Sequence, residues 1–245
     1  MTPKPGGKNL HPHRFRKTLA RLAGLAIDGS QKVLMLLLGH EDVTTTLSYM
    51  QADPAFAKEV DDITRELRII RGEALIEDMR AAIRDPNSLP YGGHGGGGAP
   101  VLADAVRVHE EELHRLGEEW GGSTARELSV LLTNNGESAR IISAHVVCTK
   151  TAGEVGLCSG KKGAINAGNC QTECRNHIED KTGRRDTERV IPILVQHAEQ
   201  AIANNDWLPL QRDKRQLEQE IKRYDDIGAQ WRDKPKVRAI LDAGA

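Results

Sequence analysis

The sequence predicts a mainly α-helical fold. Apolar residues recur at helical spacing in the first 84 residues and again after residue 100. Residue types that begin or end helices bound these segments: Ser30 and the Asp53-Pro54 pair suit helix starts, and Gly39 suits a helix end. One segment, residues 139–149, is rich in β-branched residues and is predicted as a strand.

The composition excludes several classes of protein. The chain of 245 residues forms one large domain or two small ones. Its longest aliphatic run, residues 33–38, is far shorter than the roughly 20 residues that a membrane span needs. The N-terminal residues lack the apolar segment of a secretory signal. We therefore expect a cytoplasmic protein of the bacterial cytosol or nucleoid, with no membrane partner.

Charge is unevenly distributed, although the formal net charge is only −1. Residues 1–50 carry seven Lys/Arg against three Asp/Glu, whereas residues 51–140 carry ten against seventeen. A basic head on an otherwise acidic or neutral chain indicates a local contact with a polyanion. The alternative interpretation is a solvated basic face.

The N-terminal elements follow from periodicity and capping. Residues 13–27 are predicted as a helix, and Ser30 begins a second helix that ends before Gly39. Residues 43–50 contain a Thr run that is weak for helix. The Asp53-Pro54 pair begins a long helix that continues to residue 84.

Residues 85–100 read DPNSLPYGGHGGGGAP and predict a flexible linker or an exposed loop. This linker would divide residues 1–84 from a C-terminal extension, residues 101–245. Within the extension, helices are predicted over residues 101–116 and 124–132. An antiparallel helical pair is predicted over residues 186–204 and 208–231, with a turn between them.

The segment 11–51 contains groups suited to phosphodiester chemistry. His13 and Arg16 have His-x-x-Arg spacing, His40 follows Gly39 at the end of an apolar helix, and Tyr49 lies nine residues after His40. A guanidinium can clamp phosphate oxygens and offset transition-state charge. Imidazoles can orient the phosphate and exchange protons, and a tyrosine hydroxyl can act as a covalent nucleophile.

This segment resembles the C-terminal end of the catalytic domain of tyrosine recombinases (phage integrases). In that family a Pro-His-x-x-Arg-His-Thr-type helix precedes Leu-Leu-Gly-His, a Thr-Thr pair and the nucleophilic Tyr. Residues 12–18 match the first part, with Lys17 in place of the commoner His. Residues 37–40 match the second part, and residues 45–49 match the third.

The resemblance implies a role for each matching residue. Arg16 is the second catalytic Arg, His13 and His40 are the phosphate-side histidines, and Tyr49 is the nucleophile. No cofactor is needed for catalysis, because the phosphotyrosine conserves the bond energy. The partner is DNA, and the flanking basic residues are expected to bind it: Arg14, Lys17 and Arg21.

The resemblance leaves the register of the first motif open, because His11 and Arg14 also have His-x-x-Arg spacing. We prefer His13 and Arg16, since Thr18 then lies two residues after the Arg.

The family's first catalytic Arg and its β-hairpin Lys lie well upstream of this motif, and only twelve residues precede His13. We therefore expect an N-terminally truncated catalytic set that is incomplete within this chain. The expected protein partner is either a further copy of the chain, in a homo-oligomer such as a tetramer on DNA, or an upstream recombinase fragment.

Four cysteines lie within residues 148–174, in a segment rich in Gly and poor in apolar residues. Four thiolates suit tetrahedral zinc, and a metal can order a loop that cannot bury a core of its own. The segment also has a weaker similarity to the Cys-bearing tails of some integrase-like proteins. The predicted ligands of a structural zinc ion are Cys148, Cys158, Cys170 and Cys174, with His145 or His177 as possible substitutes. The alternative is four reduced, buried thiols.

The predicted architecture has four parts. Residues 1–52 form part of a tyrosine recombinase catalytic domain, residues 53–84 a long helix, residues 85–100 the linker, and residues 101–245 a helical extension with the cysteine insert. The predicted function is site-specific recombination and integration of a mobile element. The alternatives are a non-catalytic DNA-binding or assembly remnant with a zinc-stapled tail, and a cysteine redox protein. The absence of a Cys-x-x-Cys pair disfavours the redox protein.

Overall fold

The computed structural model describes residues 18–19, 30–42, 44–45, 54–151, 153–159 and 163–243. These residues are mainly helical and include one three-stranded sheet, which confirms the predicted mainly α class. The chain divides into two compact units, residues 1–67 and 68–245. No helix within the described ranges is long and apolar enough to cross a membrane. Most of the predicted helix over residues 13–27 lies outside the described residues.

Helix α1 spans Ser30–Leu38, as the sequence predicts. Leu34 and Leu38 are buried, whereas Leu36 is exposed, so the helix has an apolar and a solvent-facing side. The helix ends at Gly39, whose φ of 67° lies in the left-handed region that glycine adopts without strain.

Helix α2 spans Pro54–Arg84 and confirms the predicted long helix. Pro54 occupies the first helical position, where the missing N–H costs no intrahelical bond. The boundary between the two compact units falls within this helix, after Leu67.

In the unit of residues 68–245, α2 packs with helices α3 (Gly98–Leu116) and α4 (Thr124–Leu132). The sequence predicts both helices, although α3 begins three residues earlier than expected. Ile76 of α2, Val106 of α3 and Leu128 of α4 share one buried cluster. The Ser129 hydroxyl donates to the carbonyl oxygen of Ile69 at 2.7 Å. Gly72 lies beside it, where a Cβ would clash with the Ser129 hydroxyl.

The predicted linker over residues 85–100 is mostly exposed at residues 85–90, but its glycine-rich part, residues 91–100, is packed, so the prediction of a flexible or exposed segment is wrong there. Pro90–Gly93 form a 3-10 turn, and His94 is only 2% exposed. The amide of Gly95 donates to the carbonyl oxygen of Glu179 at 3.0 Å, and the amide of Gly96 donates to that of Arg223 at 2.8 Å. The physical reason is the missing Cβ. Glycine permits a close approach of backbones as readily as it permits flexibility.

The predicted strand over residues 139–149 is a hairpin. Strands β1 (Arg140–Ser143) and β2 (Val146–Cys148) pair antiparallel, and β3 (His177–Glu179) pairs antiparallel with β2. A tight turn at residues 144–145 divides the β-branched segment in two. Val147 and Ile178 of the sheet pack against Leu75 of α2.

The C-terminal helices pack around one buried cluster that includes Ile191, Leu217 and Val237. The predicted antiparallel pair is present, but its second helix ends at Arg223 instead of Trp231. Tyr224 breaks the helix with an extended backbone (φ −134°, ψ 124°), because its hydroxyl donates to the carbonyl oxygen of Asp180 at 2.7 Å. The four helices are α5 (Arg184–Ala203), α6 (Trp207–Arg223), α7 (Asp225–Arg232) and α8 (Pro235–Asp242).

We predict that Gly95→Ala destabilises the fold. A Cβ at this position would overlap the carbonyl oxygen of Arg223. The free energy of unfolding should fall by about 1–3 kcal/mol or more, as for other overpacked sites. Urea unfolding followed by circular dichroism measures the change. Gly122→Ala is the control, because a Cβ added there would meet no atom within 4 Å. Equal stability of the two variants would contradict the packing of this segment.

Candidate functional site

The described part of the recombinase-like motif is the end of α1. The amide of His40 donates to the carbonyl oxygen of Met35 at 2.9 Å, and the amide of Gly39 donates to that of Leu36 at 3.3 Å. These two bonds form a Schellman cap, which sets where the chain leaves the helix. His40 is thereby fixed two residues beyond α1, with its side chain partly exposed.

A second local motif follows His40. The Asp42 carboxylate accepts hydrogen bonds from the Thr44 amide at 2.9 Å and the Thr44 hydroxyl at 3.0 Å. Thr44 and Thr45 are helical, so Asp42 acts as an N-cap. The hydrogen bond from the Thr44 amide lowers the pKa of Asp42 below its usual value, and the hydroxyl bond adds to this effect. A new helical segment therefore begins at Thr44.

The other residues predicted for DNA chemistry lie outside the described residues, so their geometry relative to His40 stays a prediction. They are the catalytic candidates His13, Arg16 and Tyr49, and the DNA-binding candidates Arg14, Lys17 and Arg21.

The four cysteines converge in the unit of residues 68–245. Cys148 ends β2, Cys158 and Cys174 lie in loops, and Cys170 follows a 3-10 turn over residues 167–169. All four thiols are free, and only Cys170 is more than slightly exposed. Burial raises the pKa of Cys170 to about 11, and the charges of the other three thiols contribute. The four sulfurs are therefore close enough to interact electrostatically.

His177 connects this cluster to a chain of polar contacts. Its Nδ1 lies 3.1 Å from the Cys170 sulfur, and its Nε2 lies 2.9 Å from Glu179 Oε1. Arg223 of α6 donates to Glu179 Oε2 at 2.8 Å. We call Cys170, His177, Glu179 and Arg223 the polar relay. His145, the other substitute ligand, instead lies 3.0 Å from the Thr182 hydroxyl.

Glu179 is 3% exposed and still ionised in this relay. Burial opposes its ionisation, but hydrogen bonds from His177 and Arg223 outweigh burial and hold its pKa below the usual value. The same contacts with Glu179 raise the pKa of Arg223, against the effect of its own burial. Glu179 is therefore a buried carboxylate whose ion pair with the partly buried Arg223 has its hydrogen bonds formed.

Lys150 supplies a buried cation near the thiols. Its ammonium donates to the Ser159 hydroxyl and to the carbonyl oxygen of Gly163. Its backbone amide bonds the Cys148 sulfur, and the Asn166 amide bonds the Cys158 sulfur. Amide donors and a nearby cation stabilise thiolates. They lower the pKa of Cys158, whereas burial dominates at Cys148 and raises its pKa.

The four cysteine thiols and His177 are donors that suit a divalent metal such as zinc. Across the described residues, no group of three or more His, Cys, Asp or Glu side chains is placed to hold a metal ion. Zinc binding by Cys148, Cys158, Cys170 and Cys174 therefore stays a prediction.

The polar relay and a second buried site at His94 were not predicted from the sequence. Alternation along β3 places His177 and Glu179 on one face, so the His-x-Glu spacing was the available signal for the relay. His94 Nε2 lies 3.0 Å from Asp78, and its Nδ1 accepts from the Lys181 amide at 3.2 Å. No sequence pattern indicated these partners, because they are 16 and 87 residues away.

Comparison of the chain with protein-family models, curated proteins and solved structures finds no match. The resemblance to tyrosine recombinases rests on the residues of the 11–51 segment alone.

We predict that Glu179→Gln destabilises the unit of residues 68–245. The change replaces the buried carboxylate that His177 and Arg223 share with a neutral amide, while Arg223 keeps Glu220 at 3.1 Å, so we expect a loss of about 1–3 kcal/mol. Thermal and urea unfolding measure the loss.

Glu173→Gln is the matched control. Glu173 forms an ion pair with Lys222, and both side chains are about half exposed. Exposed pairs contribute about 0–1 kcal/mol, so this variant should unfold much like the parent chain. A similar decrease in the free energy of unfolding for the two variants would contradict the stabilising role of the buried Glu179 carboxylate.

Proposed function

We propose that the chain takes part in DNA breaking and rejoining by tyrosine recombinase chemistry, in the site-specific integration of a mobile element. The observation that carries the proposal is the capped end of α1. Residues 37–40 match the family's Leu-Leu-Gly-His, and His40 follows a Schellman cap at Gly39. The cap supports a catalytic role, because a fixed backbone holds an imidazole in one place beside a phosphate.

The proposed reaction has two steps. The Tyr49 hydroxyl attacks the scissile phosphorus, a 3′-phosphotyrosine bond forms, and the 5′-oxygen leaves with a proton. A 5′-hydroxyl of a second DNA end then attacks the phosphotyrosine and restores the DNA bond. Arg16 offsets the charge on the phosphate oxygens, and His13 and His40 orient the phosphate. No nucleotide cofactor enters, because each step exchanges one phosphodiester for another.

The partners follow from the same proposal. DNA is the substrate, and assembly requires further protein: a homo-oligomer, such as a tetramer on DNA, or an upstream recombinase fragment. The first catalytic Arg and the β-hairpin Lys would come from that fragment. The basic residues Arg14, Lys17 and Arg21 would bind the DNA backbone, with affinity that falls as salt rises.

We predict that Tyr49→Phe abolishes a covalent protein–DNA adduct. The chain is joined to an upstream recombinase segment that carries the Arg and Lys, and is incubated with nicked duplexes from the DNA flanking its gene. The parent protein should become covalently linked to DNA, seen on denaturing gels, with mass spectrometry locating the linkage at Tyr49. Phenylalanine lacks the nucleophilic oxygen.

Two controls sharpen this experiment. Tyr91→Phe should keep the adduct, because Tyr91 lies in the 3-10 turn of the other unit. The 245-residue chain alone should give none, since a missing oxyanion donor costs about 10²–10³ in rate and a missing acid a further 10²–10⁴. A covalent adduct formed by Tyr49→Phe would contradict the assignment of Tyr49 as the nucleophile.

We also propose that the cysteine cluster holds one structural zinc ion. The observation that favours this role is the exposure of the large apolar residues in the loop. Val155 is 57% exposed and Leu157 is 54% exposed, so neither fills a core. Ordering costs roughly 1–2 kcal/mol per residue, whereas structural zinc supplies about 10–16 kcal/mol of apparent binding energy. If the chain formed no covalent adduct, an assembly module with this zinc-stapled tail would be the alternative function.

We predict one zinc per chain in protein purified without chelator. Cys148→Ser and Cys174→Ser should each lose the metal and lower the thermal midpoint of the unit, because serine is a poor zinc ligand. Elemental analysis and thermal unfolding measure both effects. His197→Asn on the exposed side of α5 is the control and should keep full occupancy. Parent protein without zinc would mean that the four cysteines are ordinary thiols.

A further inference from the structure

The turn that joins α4 to β1, residues 133–137, contains the sequence Asn134-Asn135-Gly136. We call it the Asn-Gly turn. Asn134, Asn135 and Gly136 all have φ in the left-handed region, at 50°, 54° and 78°. Asparagine and glycine are the residues that adopt this region most readily. The shape of the turn therefore accounts for an Asn-Gly pair here, with Asn135 exposed to solvent.

Asn135 is the one asparagine of the chain that a glycine follows. An asparagine side chain is chemically labile, because the backbone nitrogen of the next residue can attack its carbonyl carbon. A side chain on that next residue hinders the attack, and Gly136 has no Cβ. The sequence therefore gives Asn135 the least hindered attack of any asparagine in the chain.

The fold holds the attacking nitrogen in a hydrogen bond. The Gly136 amide donates to the Thr133 hydroxyl oxygen at 3.0 Å, and that hydroxyl donates to the Ser129 carbonyl oxygen at 2.7 Å. Thr133 is only 4% exposed. The nitrogen must lose its proton to attack, so the Gly136 amide has to leave Thr133 first. The hydrogen bond therefore slows the reaction in the folded chain.

Asn134 provides an internal comparison within the same turn. The residue after it, Asn135, has a side chain, and the Asn135 amide donates to the carbonyl oxygen of Val130 at 2.9 Å. The Asn134 side chain is also engaged, since its Nδ2 donates to Glu137 at 2.9 Å. Asn134 is therefore hindered in two ways that do not apply to Asn135.

We propose that Asn135 is a site of spontaneous modification, at which the side-chain amide becomes a carboxylate at a rate set by the Thr133 hydroxyl. The Gly136 nitrogen attacks Cγ of Asn135 and closes a succinimide ring, and the side-chain nitrogen leaves as ammonia with the Gly136 amide proton. Water then opens the ring and restores the Gly136 N–H. Cleavage of the Cγ–N bond gives Asp, and cleavage at the main-chain carbonyl carbon gives isoaspartate. The proposal is independent of both the recombinase and the zinc assignments.

Both products change the contacts of the Asn-Gly turn. A carboxylate at position 135 adds negative charge close to Glu137. In isoaspartate the main chain also gains one methylene, which moves Gly136 relative to Thr133 and to Arg68, whose guanidinium donates to the Gly136 carbonyl oxygen at 3.2 Å. Isoaspartate should therefore lower the thermal midpoint of the unit of residues 68–245.

Ageing of the full chain tests the proposal. The protein is incubated at physiological temperature and mildly alkaline pH, with and without urea, and then digested. Liquid chromatography with fragmentation mass spectrometry separates the Asn, Asp and isoaspartate forms of the peptide that spans the turn. Product should accumulate at Asn135 ahead of Asn134, and faster in urea, where the Gly136 amide is released. The proposal is overturned if Asn135 stays intact in the folded chain while the unfolded chain reacts, or if Asn134 reacts equally fast.

Two variants test the role of Thr133. Thr133→Val removes the hydroxyl with little change in shape and should speed the conversion about 2- to 10-fold, the range of one net hydrogen bond. Thr133→Ser keeps the hydroxyl and is the matched control, so its rate should stay close to that of the parent chain. Equal rates in all three proteins would overturn the control by Thr133. The thermal midpoints show whether the variants are folded. If Thr133→Val fails to fold, the parent chain decides, because equal rates with and without urea would also overturn that control.

Discussion

The unit of residues 68–245 depends on the buried carboxylate of Glu179. Its backbone exchanges two hydrogen bonds with Gly95, and its side chain is shared by His177 and Arg223. One residue thus joins the glycine-rich segment, the cysteine loop and α6. A carboxylate so deeply buried is stable only with both partners present. The close backbone contact between Gly95 and Glu179 brings the glycine-rich segment against the sheet, where Glu179 meets His177 and Arg223.

Periodicity and capping were sufficient to predict most helices. Helix α1 ends before Gly39, and α2 begins at Pro54, both as predicted. The glycine-rich segment was predicted wrongly because composition cannot distinguish flexibility from close backbone packing. Deciding between them requires knowing that the Arg223 carbonyl lies against Gly95, more than 100 residues away. The helix break at Tyr224 has the same origin, since its partner is the distant Asp180.

Some of the candidate sites can be predicted from the sequence, and others cannot. Candidate catalytic residues at fixed spacing within a short segment, such as His40 and Tyr49, can be recognised in the sequence because the motif is local. The polar relay cannot be recognised in the sequence, because the tertiary fold alone brings Arg223 to Glu179.

The cysteine segment illustrates how a chain orders a loop without a core. Val155 and Leu157 face solvent, so hydrophobic burial contributes little there. Lys150 is buried instead, and its ammonium bonds a loop hydroxyl and a loop carbonyl. A buried cation beside Cys148 and Cys158 is electrostatically suited to a centre of negative charge, since each thiolate it faces offsets its own desolvation. Metal binding removes thiol protons and so increases that charge. The same lysine that orders the metal-free loop would therefore bind a zinc–thiolate centre more favourably than neutral thiols.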